Sequence, residues 1–173
     1  MQWRGWRIPV VLLAFGAGFL LLGALQWAFN HFSYREPLER ALRAHGAVES
    51  FTLQRQKGTF LVTVGLKKVE DFPSTYRELR DSLQEVLGRR PFVLEIRDKR
   101  DGELQKAYNR AHLALYEAQV RGNYREAARC VEEEAARVGA RAALFLDEEN
   151  MYLCMERGDH YLYAVVPRDR QRP

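Results

Sequence analysis

Between Arg7 and Arg35 the chain carries no Asp, Glu, Lys or Arg, and its apolar part, Ile8 to Phe29, reads IPVVLLAFGAGFLLLGALQWAF. A bilayer core about 30 Å thick takes about 20 helical residues at a rise of about 1.5 Å each. This run therefore predicts one membrane-spanning helix over residues 8–29, behind a short basic tail over residues 1–7. Gln26 is its one strongly polar residue and lies near the end, while Pro9 falls in the first turn, where its missing N–H breaks no hydrogen bond. Trp3 and Trp6 stand before the run and Trp27 at its far edge. Indoles favour the headgroup zone, half-desolvated with the N–H still wet, so these three are the expected membrane-interface residues. The apolar stretch is longer than that of a cleaved leader, and no small-x-small site follows it, which points to an uncleaved signal-anchor. Ala14 and Gly18 form a small-xxx-small pair through which two such helices could pack.

Beyond residue 33 the pattern changes to short periodic segments. Leu38, Ala41 and Leu42 share one face of a helix running from Ser33 to a stop at Gly46. Strands follow over Val48–Gln56, with Phe51 and Leu53 on one face, and over Thr59–Lys67. The second alternates Phe60, Val62, Val64 and Leu66 inward against Leu61, Thr63 and Gly65 outward, and Lys57-Gly58 forms the hairpin turn. Tyr76, Leu79, Leu83, Val86 and Leu87 recur at helical spacing over 72–87, between an entry at Asp71-Pro73 and a stop at Gly88, and a strand follows at 91–96. Asp101 caps a long helix to about Val120, a turn at 121–123 leads into a helix over 124–138, and three strands at 142–146, 151–155 and 160–166 form a meander. The expected fold is thus α+β: a single transmembrane helix and then a compact mixed domain over 33–167 with element order α-β-β-α-β-α-α-β-β-β. That domain is divisible into 33–98 and 101–167, and a basic tail over 168–173 follows it.

Composition changes this picture little. The net charge of +4 suggests an acidic partner, but of the 27 basic residues Arg4 and Arg7 precede the span, leaving 25 against 23 acidic ones that are interleaved with them. Phosphate backbones need positive charge gathered on one face, so no nucleic-acid partner is expected. Two lone cysteines, Cys130 and Cys154, lack the spacing of a metal or redox pair; the sequence leaves open whether they are joined, and two half-buried thiols are expected. The counts of positive residues on either side of the span nearly tie; the seven-residue tail without an acid tilts the expectation toward the domain lying outside the cytoplasm. Localisation is then a plasma membrane, single-pass.

The segment from Leu113 to Val138, LALYEAQVRGNYREAARCVEEEAARV, resembles one tetratricopeptide repeat. Gly122, Asn123, Tyr124, Glu126 and Ala127 match its turn-and-helix signature, and Ala111, Ala114 and Ala118 line the preceding helix. That resemblance covers one repeat unit with no second copy, and it implies a helical hairpin that binds a protein partner, with Tyr116, Gly122 and Tyr124 as the residues to watch. The order α-β-β-α-β after a membrane helix is also similar to the ring-building modules of secretion and sporulation channels and to small periplasmic phospholipid-associated modules, which implies self-association.

Catalytic signatures are lacking. His31, His45, His112 and His160 show no zinc-site spacing, and there is no G-x-S-x-G, Walker loop or G-x-G-x-x-G. Glu132-Glu133-Glu134 reads as a solvated helix face and Asp147-Glu148-Glu149 as an acidic turn. No metal and no cofactor are expected. The expectation is a non-enzymatic assembly or protein-interaction module of a bacterial-type cell envelope, in contact with the lipid bilayer and with a protein partner or copies of itself. Two alternatives are an accessory or sensor subunit that contacts its complex through the membrane helix, and an envelope hydrolase with a scattered site.

Overall fold

The computed structural model describes residues 15–25 and 36–168. Residues 15–25 are helical and exposed (α1). Among the described residues no helix is long and apolar enough to cross a membrane. Helix α1 covers the middle of the 8–29 run and carries Gly18; Trp3, Trp6, Ala14 and Trp27 lie outside the described residues. The chain falls into two compact units, the first ending at Ala44 and the second beginning at His45. Besides α1, the first unit contains α2 (Glu36–Ala44), whose buried residues are Leu38 and Leu42. Glu36 and Glu39 in its first turn and Arg43 in its last oppose the helix dipole.

The second unit opens with β1 (Val48–Gln56) and β2 (Thr59–Leu66), an antiparallel hairpin. Lys57 at φ 49° and Gly58 at φ 87° both take left-handed backbone, as the tight turn that matches strand twist requires. Helix α3 (Phe72–Leu87) is the crossover that brings β3 (Phe92–Arg97) back parallel to β2, giving the order β1-β2-β3. Its entry is set by Asp71, whose Oδ1 accepts the Ser74 N–H at 3.0 Å, and its exit by Gly88, whose N–H reaches the Gln84 carbonyl at 2.8 Å. On β2 the inward set Phe60, Val62, Val64 and Leu66 is buried as its alternation predicts. Gly65 departs from that pattern: it too is buried. A register irregularity between Val48 and Ser50 lays Ser50 over it, so that a Cβ at position 65 would run into Ser50 Oγ.

Helices α4 (Gly102–Arg121) and α5 (Tyr124–Arg137) then form a hairpin, and β4 (Arg141–Leu146), β5 (Asn150–Arg157) and β6 (His160–Pro167) an antiparallel meander ordered β4-β5-β6. Asp101 Oδ1 accepts the Leu104 N–H at 2.8 Å to start α4, and Gly122, left-handed at φ 72°, ends it. Leu104, Ala107, Ala111, Leu115 and Ala118 of α4 and Ala127, Val131 and Ala135 of α5 share one core with Met151, Leu153 and Met155 of β5 and Leu162 and Val166 of β6.

Strand β5 is buried on both faces along its first half. One face meets the α4–α5 hairpin. On the other, Tyr152 joins Tyr161 and Tyr163 of β6 against the first turns of α3. Phe72 stacks on Tyr163 with ring centroids 4.4 Å apart and meets Tyr152 edge-on at 6.0 Å, and Tyr76 meets Tyr152 at 5.7 Å. Two hydroxyls complete the join. Tyr161 donates to the Leu66 carbonyl at 2.7 Å, and Tyr163 accepts the Val69 N–H at 2.9 Å. Both tyrosines therefore hold the connection that leads from β2 into α3.

Candidate interaction surfaces

Helix α4 presents a second apolar stripe on the side away from its core. Leu113, Tyr116 and Val120 follow one another at helical spacing and are 69, 53 and 74 % exposed. His112 lies beside them, its ring edge-on to Tyr116 at 6.2 Å, with Nδ1 2.7 Å from the Asn109 carbonyl. Among the described residues of the second unit these three make up half of the exposed large hydrophobics; the others, Val93, Phe145 and Leu146, lie on strands.

Of the three hairpin residues that the repeat resemblance singles out, Tyr116 and Gly122 are exposed and Tyr124 is half-buried. Gly122 is the left-handed stop of α4. Tyr124 packs against the core, with the Arg168 guanidinium 5.3 Å over its ring. Arg168 belongs to this packing too, since its N–H reaches the Glu149 carbonyl at 2.7 Å; residues 169–173 lie outside the described residues. The small residues of the signature serve the hairpin itself: Ala111, Ala118 and Ala127 are buried and Ala114 is half-buried.

A second surface arises where the two sheets approach each other. The N–H of Tyr161 at the start of β6 bonds the Lys99 carbonyl just past β3, at 3.3 Å, in an isolated antiparallel bridge. Asp98 braces that junction. Its buried carboxylate accepts the Tyr163 N–H at 2.7 Å and takes both Nε and Nη2 of Arg100 at 2.7 Å. That pair holds Arg100 above its ordinary value, first through the hydrogen bond to Asp98. From the junction the two edges part and leave a cleft of about 740 Å³, lined by Tyr76, Arg80, Arg89, Phe92, Leu94 and Val165 among others. A smaller hollow of about 320 Å³ continues it toward Ile96, Arg100 and Tyr163. Tyr76 lines both, and burial pushes its hydroxyl above the ordinary tyrosine value.

The acidic features are structural. In the β4–β5 turn, Asp147 Oδ1 accepts the N–H groups of Glu149 and Asn150 at 2.8 and 2.7 Å, and Oδ2 accepts the Tyr152 hydroxyl at 2.6 Å. Burial alone would raise Asp147, and these bonds more than offset it. Tyr152 is pushed up to about 12, first by burial and then by its bond to Asp147. Glu132 and Glu133 are solvated as their run predicts, but Glu134 is not. It is buried where α5 meets α4, paired with Arg137 and with Arg110 at 3.8 Å. Cys130 and Cys154 are free and half-buried, and burial pushes Cys154 up to about 12, far from a reactive thiolate. Among the described residues no three His, Cys, Asp or Glu side chains gather as a metal would need.

Sequence reasoning passes over Leu113, Val120 and the whole cleft. The α4 stripe is legible afterwards as apolar residues off the face set by Ala107, Ala111 and Leu115. The cleft has no local signal, since its walls come from segments far apart in the chain. Neither a protein-family model nor a curated protein matches this chain.

Proposed function

We propose that the protein is a single-pass, membrane-anchored, non-enzymatic assembly or interaction module of a bacterial-type cell envelope, its domain lying outside the cytoplasm. The observation that carries this reading is the Leu113–Tyr116–Val120 stripe, an apolar surface on a helix whose opposite face already fills a core. Covering a large apolar side chain is worth about 1.5–3 kcal/mol, so three aligned residues can supply a specific contact. An anchor over residues 8–29 confines copies to a plane and raises their local concentration, which lets such a modest contact suffice. The stripe also gives the resemblance to a partner-binding repeat a physical surface on which to act.

The test is the mass of the full chain in detergent micelles by sedimentation, with and without Tyr116→Glu. A complex larger than the monomer that dissociates in the variant, with the circular dichroism of the domain unchanged, supports the reading. Particles of equal mass in both refute it for self-association, and cross-linking from position 116 in intact membranes then asks the same of a partner. Replacing residues 8–29 with an unrelated membrane span separates the accessory-subunit reading, which loses the complex, from the module reading, which keeps it. Protease access to the C-terminus in intact cells checks the sidedness.

A further inference from the structure

The cleft between the two sheets has the backbone polarity of a vacant strand position. Phe60 N–H bonds the Pro91 carbonyl at 2.9 Å, and Phe60 is in register with Phe92. In a parallel ladder this phase turns the Pro91 C=O and the N–H and C=O of Val93, Glu95 and Arg97 toward β2 and leaves those of Phe92, Leu94 and Ile96 pointing away from β2, off the sheet edge. On the opposite wall, the two-residue turn Gly158-Asp159 makes Arg157–His160 a hydrogen-bonded pair, so the groups of Tyr161, Tyr163 and Val165 point away from β5. Tyr161 N–H is taken by Lys99, Tyr163 N–H by Asp98 and the Tyr163 carbonyl by Arg100, while Val165 bonds no described residue on that side. Two strand edges thus face each other across an opening, closed at one end by Asp98–Arg100 and open at the end where β3 begins.

Side chains and charge define what fits. Phe92, Leu94 and Ile96 point to the same face as buried Phe60, Val62 and Val64 yet are only half-buried, because no described strand lies beyond the edge to cover them. Tyr76 stands at the floor with a hydroxyl that bonds no described residue. At the open end Arg80 and Arg89 line the cleft together with Glu149, which pairs with Arg80.

We propose that this cleft binds an extended apolar segment of a partner protein by strand addition to β3, with a carboxylate of that segment seated at Arg89. Main-chain bonds to Phe92, Leu94 and Ile96 supply affinity, alternate side chains cover the half-buried row and Tyr76, and Arg89 selects an acidic end. The inference rests on the interaction-module reading but uses a surface separate from the α4 stripe.

The full chain in detergent is titrated against short fluorescein-labelled peptides of alternating valine and threonine that end in glutamates at either terminus, or in lysines. One acidic peptide binds at least about tenfold more tightly than its lysine counterpart, and which terminus is preferred gives the strand direction. Arg89→Glu removes that preference. Leu94→Pro deletes an outward N–H that β2 does not use and weakens binding at least about tenfold. In the unmodified chain the amides of Phe92, Leu94 and Ile96 gain hydrogen-exchange protection on binding, a measurement that needs no variant to fold. No binding up to about 1 mM, equal affinity for acidic and lysine peptides, or unchanged exchange at those amides overturns the proposal. So does pairing of β3 with β3 of a second copy, seen as a dimer that Leu94→Pro disperses without peptide. Tyr116→Glu leaves peptide binding unchanged, so the cleft and the stripe fail independently.

Discussion

The two three-stranded sheets of the second unit contain the same number of strands and meet opposite fates. The β4-β5-β6 sheet is covered on both faces, by the α4–α5 hairpin on one and by Phe72 and Tyr76 on the other, so its central strand is buried without a break from Asn150 to Leu153. The β1-β2-β3 sheet buries one row of β2 and leaves much of β1 in water and, among the described residues, the far edge of β3 unpaired. Coverage, more than strand number, separates a sheet that serves as a core from one that keeps an edge available.

Removing the joint between the sheets should cost the most. Phe72→Ala is expected to destabilise the protein by about 3–5 kcal/mol, because the ring touches both Tyr152 and Tyr163. Urea unfolding followed separately by tyrosine fluorescence and far-ultraviolet circular dichroism should still give a single transition; two separated transitions would mean the sheets are independent. Next comes a matched pair of truncations. Leu153→Ala, fully buried on β5, should cost about 2–5 kcal/mol, and Leu53→Ala, half-buried on β1, about 1 kcal/mol. Equal losses would erase the contrast between the two sheets.

A smaller effect is expected at Asp101, where Asp101→Ala removes the side-chain cap of α4. Its carboxyl is held below the ordinary aspartate value of 3.8, first by the Leu104 N–H and then by Arg157. A depressed carboxyl contributes in full above 3.8 and loses that contribution as pH falls through its folded value. Stability measured below about pH 4 should therefore decline less steeply in Asp101→Ala than in the parent; parallel curves would show that another carboxylate carries the acid response. Smallest of all is Gly65→Ala. Only the Ser50 hydroxyl stands in the way, and it can rotate, so a loss under about 1 kcal/mol that vanishes in a Ser50→Ala background is expected. A larger, unrescued loss would place the obstruction in the backbone.

Elements set by local chemistry were legible in the sequence. Asp71 and Asp101 cap the helices they precede, Gly58 and Gly122 take the left-handed backbone their turns need, and the bounds of β1 and α3 match the residue pattern. What escaped depends on approach between distant segments. The outward position expected for Gly65 fails because a neighbouring strand slips by a residue, and Glu134 leaves the solvated face because Arg110 of α4 lies across from it. The signature Tyr124 turns out to pack, while unremarked Leu113 and Val120 lie open, because a repeat motif records what holds a hairpin together. Burial on both sides of β5 was written in its unbroken run Met151-Tyr152-Leu153-Cys154-Met155, which an alternating strand would not show.

The tyrosine clasp on the β2–α3 connection has a consequence for biosynthesis. Val69 and Tyr163 are 94 residues apart, and Tyr152 and Tyr163, which meet the Phe72 ring, are likewise made long after it. A growing chain can form the hairpin and the crossover helix early, but it carries an uncovered aromatic ring until the final strand emerges. This unit therefore commits to its native state only after β6 has been made, and in that interval it relies on whatever shields nascent apolar surface.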